Sequence, residues 1–308
     1  MRRRTARYIP RLMAAAAPLL IVALLQPPAA SAAADPCVST GGKVRKSSET
    51  ATCSSEGTGS VAVANGDGSS ATATGGDRNR AFARGDDSSA TASDGDNNTA
   101  TATGDESFAS ATNGDNNTAT ATGDESYAAA GQGNNNTATA SGDESFASAT
   151  NGDNNTATAT DTSIAFAGNG DNNTATASDG SLASATNGDN NTATASNSSI
   201  ASATHGDNNT ATATGEDGSV AVAGRGDDNT ATASGDQSGA VATNGDNNTA
   251  TASGDRSLAS ATHGDNNTAT ASGDESVAVA GEGDNNEATA SSDGCSVEAI
   301  GDNQTDSC

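Results

Sequence analysis

Gly95-Asp96-Asn97-Asn98-Thr99-Ala100-Thr101-Ala102-Thr103 is followed by Gly104-Asp105-Glu106-Ser107-Phe108-Ala109-Ser110-Ala111-Thr112-Asn113, and at Gly114 the first phrase begins again. Its opening glycine returns at Gly133, Gly152, Gly170, Gly188, Gly206, Gly226, Gly245, Gly264, Gly283 and Gly301, a step of 18 to 20 residues and usually 19. A fixed step of this size marks a solenoid, in which each repeat is one coil stacked on its neighbour. Both halves share the plan Gly-Asp-x-x-y-Ala-y-Ala-y. Strict alternation over five residues predicts a strand with one side-chain set on each face. Gly-Asp-Asn-Asn and Gly-Asp-Glu-Ser carry turn chemistry, with glycine supplying positive φ and Asp or Asn bonding the local backbone. The fold class expected is all-β: a flattened two-sheet β-solenoid or β-roll, about 19 residues and two short strands per coil, with a thin alanine-rich core.

Which face points inward follows from which positions vary. Ala100, Ala102, Ala109 and Ala111 recur almost unchanged, whereas their alternates range over Thr, Ser, Phe, Tyr, Ile, Leu, Val and Gly. The alanines therefore belong inside, since the opposite register would bury threonine hydroxyls at a desolvation cost. The outward face of the first half is a grid of two threonine files, Thr99, Thr118, Thr137, Thr156 and onward to Thr268, and Thr101, Thr120, Thr139, Thr158 and onward to Thr270. In the second half one outward file is apolar: Phe108, Tyr127, Phe146, Ile164, Leu182, Ile200, Val220, Leu258 and Val277. An apolar stripe of that length points to an extracellular or cell-surface partner or to self-association. Gly85 to Ser93 and Gly95 to Thr103 are first-type halves in succession, so the threonine face is expected to change sides near Asp94.

Composition taken alone reads as disorder: 308 residues, a formal charge of -26, two Tyr, four Phe and no Trp, with few large apolar residues. Disorder is the structural rival to the solenoid. The first 34 residues differ in kind. Arg2, Arg3, Arg4 and Arg7 precede an apolar run from Leu12 to Leu25, then Pro27, Pro28 and small residues to Ala34, the pattern of a bacterial-type secretory signal peptide. Its loss would leave eight basic residues against 39 acidic ones, a charge of -31. So acidic a surface argues against nucleic acid and anionic membranes, and no later apolar stretch predicts a membrane span. Export favours disulfides among the four cysteines. Two ends held far apart by an array would pair Cys37 with Cys53 and Cys295 with Cys308. The expected organisation is a signal peptide over 1–34, an N-terminal disulfide-bearing cap over 35–56, the solenoid over 57–290 and a C-terminal disulfide-bearing cap over 291–308.

Catalytic chemistry finds little support. His205 and His263 occupy a pre-turn slot held elsewhere by Asn113, Asn151, Asn187 and Asn244, and no lone nucleophile and base stand out from the repeats. Acids are the more serious candidates. Asp96, Asp115, Asp153, Asp171, Asp189, Asp207, Asp246 and Asp265 fall in one edge file of the stack, and adjacent unit charges there repel by about 0.9 kcal/mol in bulk-water dielectric. Screening salt, asparagine carbonyls or Ca²⁺ would each relieve this, so Ca²⁺ is the one cofactor candidate. Each Asn-Asn-Thr also matches the glycosylation sequon.

Across residues 57–305 the Ser-x-Ala-x-Ala and Gly-Asp-x-Ser phrasing resembles the head repeats of bacterial trimeric autotransporter adhesins, a resemblance that implies a β-roll used for surface attachment. The 19-residue step and Asp-bearing turns are similar to calcium-dependent repeats-in-toxin β-rolls, although the Gly-Gly-x-Gly-x-Asp loop is absent. The Thr-Ala-Thr files are similar to those of β-solenoid ice-binding proteins. The alternation of Asn and Ala is shared with curli-type repeats, without their glutamine ladder. The expectation is a secreted, non-enzymatic protein, extracellular or cell-surface associated, with a structural or adhesive role. Ice binding through the threonine grid and a calcium-dependent β-roll are the alternatives.

Overall fold

The structure is a computed structural model that describes residues 36–308, so the expected signal peptide lies outside the described residues. Those residues form two sheets, one of 16 strands and one of 14. From Thr52–Ser55 onward, successive strands alternate between the sheets, and a β-solenoid of about 13 turns results. Each strand hydrogen-bonds to the strand one coil away, parallel and in register: Thr99, Ala100 and Thr101 pair with Thr118, Ala119 and Thr120. The phrase thus stacks like on like along both sheets. Even the turns are laddered, because the Asn116 amide donates to the Asp96 carbonyl at 2.9 Å and the Thr99 amide to the Asn117 carbonyl at 2.8 Å.

The alanines point inward as the alternation predicts. Ala100, Ala102, Ala109 and Ala111 are each 0 % exposed, and the same holds for most of their counterparts. Methyl groups from both sheets fill the gap, and larger side chains enter the alanine slots only at the ends of the stack, as where Val297 stands in register with Ala278.

The interior also includes residues that the sequence reading assigns to turns. Asn98 is 0 % exposed and Ser107 1 %, as are their equivalents along the two edges of the core. Asn98 accepts the Asn117 amide on Oδ1 at 2.9 Å and donates from Nδ2 to the Gly114 carbonyl at 2.7 Å, both one coil on. The accepting half runs from Asn79 to Asn286, which passes it on to the amide of Gln304 while its own Nδ2 donates to the Gly281 carbonyl within its coil. Asn209 and Asn267 keep the accepting half, while their Nδ2 atoms lack a protein partner. On the opposite edge the Ser107 hydroxyl closes its own turn by donating to the Gly104 carbonyl at 2.9 Å. The turn conformation falls to the other asparagine: Asn97 has φ 60° and its counterpart Asn116 also 60°, a left-handed geometry that Asn tolerates better than most residues. Gly114 (φ 138°) is required by contact, since a Cβ there would run into the Gly133 carbonyl of the next coil.

Three coils from Asn155 to Asn209 have 18 residues. They lose a residue only from the second turn, which becomes two consecutive left-handed residues such as Asp161 (φ 54°) and Thr162 (φ 62°). Register in both sheets survives. At the first end, Cys37–Thr40 runs antiparallel to Val61–Asn65, and Lys43–Lys46 folds back outside it. Cys37 and Cys53 lie at disulfide distance (Cα–Cα 5.7 Å), joining the two sheets, and Cys295 and Cys308 do so in the final coil (6.3 Å). Each such bond closes a short loop and stabilises its end by about 3 kcal/mol on a loop-entropy argument. The ladders run past the expected solenoid limits of 57 and 290: Thr52–Ser55 pairs with Ser70–Thr74, and Ser296–Ile300 and Thr305–Ser307 continue the two sheets.

The two asparagines of one phrase should therefore differ in what they contribute. Asn155→Ala strands the Asn173 amide and the Gly170 carbonyl and is expected to destabilise by about 2–4 kcal/mol. Asn154→Gly preserves the left-handed turn (φ 60°) and is expected to change stability by less than about 0.5 kcal/mol. Thermal melting of the two variants checks this, and equal losses would contradict the buried ladder.

Candidate binding faces and acidic edges

The first sheet carries the threonine grid. Thr99, Thr118, Thr137 and Thr156 align in one file, Thr101, Thr120, Thr139 and Thr158 in the next, and the register continues to Thr268 and Thr270. Their spacing is about 4.8 Å between coils and about 6.8 Å along the strand. The threonines of both files are half-buried at their bases. Charged residues bound the grid in the same file, Arg80 opposite Thr99 at one end and Glu287 opposite Thr268 at the other. Before Asp94 the faces are exchanged: Val61–Asn65 and Arg80–Arg84 occupy the first sheet, and Ser70–Thr74 and Ser89–Ser93 the second. The threonine phrase does change sides at Asp94, because one half-phrase is missing while strands keep alternating.

The second sheet carries the apolar file. Phe108, Tyr127 and Phe146 stack ring on ring, with centroids 4.9 and 4.7 Å apart and planes within 10° and 3° of parallel. Phe166, in the adjacent file, lies 5.2 Å from Phe146. Ile164, Leu182 and Ile200 continue the stripe in register, followed by Val220, Gly239, Leu258 and Val277. Ile164 and Ile200 are 40 % and 42 % exposed, a large apolar area for a solvated face. No charged side chain lies in any strand of this sheet from Phe108–Thr112 to Val277–Gly281.

The acids gather on the coil edges, where they do something other than bond their own turns. The Asp96 amide donates to Asp115 Oδ1 at 2.8 Å, one coil on, and the Asp153, Asp171 and Asp189 amides donate to Asp171, Asp189 and Asp207 in the same way. The ladder continues through Asp246 and Asp265, whose Oδ1 atoms accept the Asp227 and Asp246 amides. Asn134 fills one rung as an acceptor for the Asp115 amide. A bond of this kind to a charged acceptor contributes about 1.5–3 kcal/mol in general, less where solvent reaches it, and so offsets a repulsion of about 0.9 kcal/mol per neighbour. Among the described residues, no three His, Cys, Asp or Glu side chains converge to hold a metal ion. His205 (φ 61°) and His263 (φ 60°) sit exposed in the left-handed pre-turn slot of different coils. Among the described residues no helix is long and apolar enough to cross a membrane.

No protein-family model matches the chain, and no curated protein matches it.

The edge ladder makes a salt-dependent prediction. Asp171→Asn keeps an acceptor for the Asp153 amide, as Asn134 already does, while removing two neighbouring repulsions. It is expected to stabilise by about 0.5 kcal/mol at low ionic strength and to lose that gain at high salt, where only the weaker neutral hydrogen bond remains. Melting curves at both ionic strengths read the difference.

Proposed function

We propose that this protein is a secreted, non-enzymatic rod with a structural or adhesive role outside the cell, acting through a repeated face and not through a single pocket. One observation carries the reading: an uncharged, in-register threonine grid, ten coils long, bounded by Arg80 and Glu287. A face in which every coil repeats the same two hydroxyls and two methyls suits a partner that is itself extended and repetitive, since many weak contacts add along it. Concentrating the acids on the edges keeps the rod soluble without placing charge on that face.

Ice is a second reading, favoured by the two-dimensional regularity of the grid, about 4.8 by 6.8 Å. Thr139→Tyr and Thr158→Tyr separate the readings from an inert spacer. Both positions face outward, so the fold should survive while the plane is broken by a bulky ring. If the grid is adhesive, binding to cells or matrix should fall at least tenfold in either variant. If it binds ice, thermal hysteresis or recrystallisation inhibition should vanish. Wild-type protein that binds neither cells, matrix nor ice would remove the grid as a binding face.

A further inference from the structure

We infer that the apolar sheet pairs with the same sheet of a second copy, in an antiparallel, two-fold dimer whose axis lies between Leu182–Thr186 and Ile200–Thr204. This concerns the face opposite the threonine grid and holds whatever the grid binds. Rotation by 180° about an axis along the strands reverses the order of coils but leaves each side-chain file facing itself. An isologous interface requires a surface complementary to its own reversed image.

The stripe meets that requirement. Its side chains shrink along the rod, from the stacked rings of Phe108, Tyr127 and Phe146 to Val220, Gly239, Leu258 and Val277. Reversal about the stated axis sets Phe146 over Gly239, Tyr127 over Leu258 and Phe108 over Val277, a large residue against a smaller one each time. Near the axis the image is almost identical: Leu182 faces Ile200, Ile164 faces Val220, and Ser184 faces Ser202. The third file follows suit, with Gly168 facing Gly224, Thr186 facing Thr204 and Thr150 facing Thr243. Large against small keeps the gap between the two sheets even, which close packing demands. A parallel arrangement would instead bring aromatic end to aromatic end and leave the glycine end gaping.

Area agrees, and charge is confined to the borders of the face. Ten strands at about 4.8 Å by five residues at about 3.3 Å give roughly 800 Å² per copy, the amount that a standard stable interface buries on each partner. The buried face carries no charge. The pre-turn slots at its border set Arg225 against Asn169 and Glu282 against Asn113, so no like charges oppose there. On the other border Asp105, Asp124 and Asp143 approach Asp274, Asp255 and Asp236. That repulsion is exposed and screened by salt, so association should tighten as ionic strength rises.

Sedimentation velocity and light scattering on the purified protein test the dimer. The expected result is a dimer at micromolar concentration, with an affinity that increases with salt. Leu182→Glu buries an unpaired charge beside the axis and should weaken association at least about 100-fold, with an unchanged far-UV spectrum. Register is read separately. The double variant Tyr127→Cys with Leu258→Cys should oxidise to a covalent dimer, while Tyr127→Cys alone should not, because the two copies of that site lie far apart. A wild-type monomer, a dimer indifferent to Leu182→Glu, or cross-linking by the single variant would each overturn the proposal. A monomer that still bound through the threonine grid would overturn the dimer and leave the adhesive reading standing.

Discussion

Everything in this rod depends on the chain returning, one coil later, to the same place at the same height. Backbone ladders alone would allow a coil to slip, and alanine methyls offer little resistance to slippage because each resembles the next. The buried amide of Asn98 and its equivalents supplies the missing constraint. It accepts from the backbone of the next coil and donates to a carbonyl there, so both ends of one short side chain measure the coil spacing. Out of register, those groups would be buried without partners, and that penalty outweighs the small preference of any single alanine contact. The asparagine file therefore sets the register within which the threonine grid and apolar stripe line up.

A core of methyl groups also changes what the surface has to do. Ordinary globular stability draws on large buried side chains, and here those side chains are outside. The chain instead accumulates many small, identical contributions, each shared only with neighbouring coils. Its acids lie at the edges, where backbone amides from the preceding coil meet the carboxylates. Between the end coils the two broad faces are left neutral. Interior, edge and face are thus three chemically separate strips of one 19-residue phrase.

Much of this was legible in the phrase itself. Alternation in Thr99–Thr103 and Phe108–Thr112 predicts strands, the invariance of Ala100 and Ala109 predicts which way they point, and the missing half-phrase before Gly95 predicts the exchange of faces. The cysteine pairings follow from the distance between the ends. The buried role of Asn98 was not anticipated, because polar residues beside glycine read as turn formers. A signal was present: Asn79 to Asn286 never vary at the second position, whereas the first admits Arg78 and Asp228. The cross-coil bonds of Asp115 and Asp171 were hidden for a different reason. They join residues 18 or 19 apart, and only the stacked geometry brings an amide to a carboxylate over that separation. The strand at Cys37–Thr40 lies outside the repeat, and its antiparallel pairing is dictated by the edge the first full coil presents; Thr305–Ser307 belongs to the last phrase, begun at Gly301, whose alanine slot holds Asp306.

The exchange of faces at Asp94 carries an implication for how such a chain changes over generations. Adding or removing a whole step of 18 to 20 residues would lengthen or shorten the rod while every file remained continuous. Loss of one half-phrase is a different event. Because strands keep alternating, everything downstream is carried to the other side of the rod, with the core intact. A short deletion can thus exchange the broad face on which each phrase is displayed, and the junction at Asp94 has the form of such an exchange.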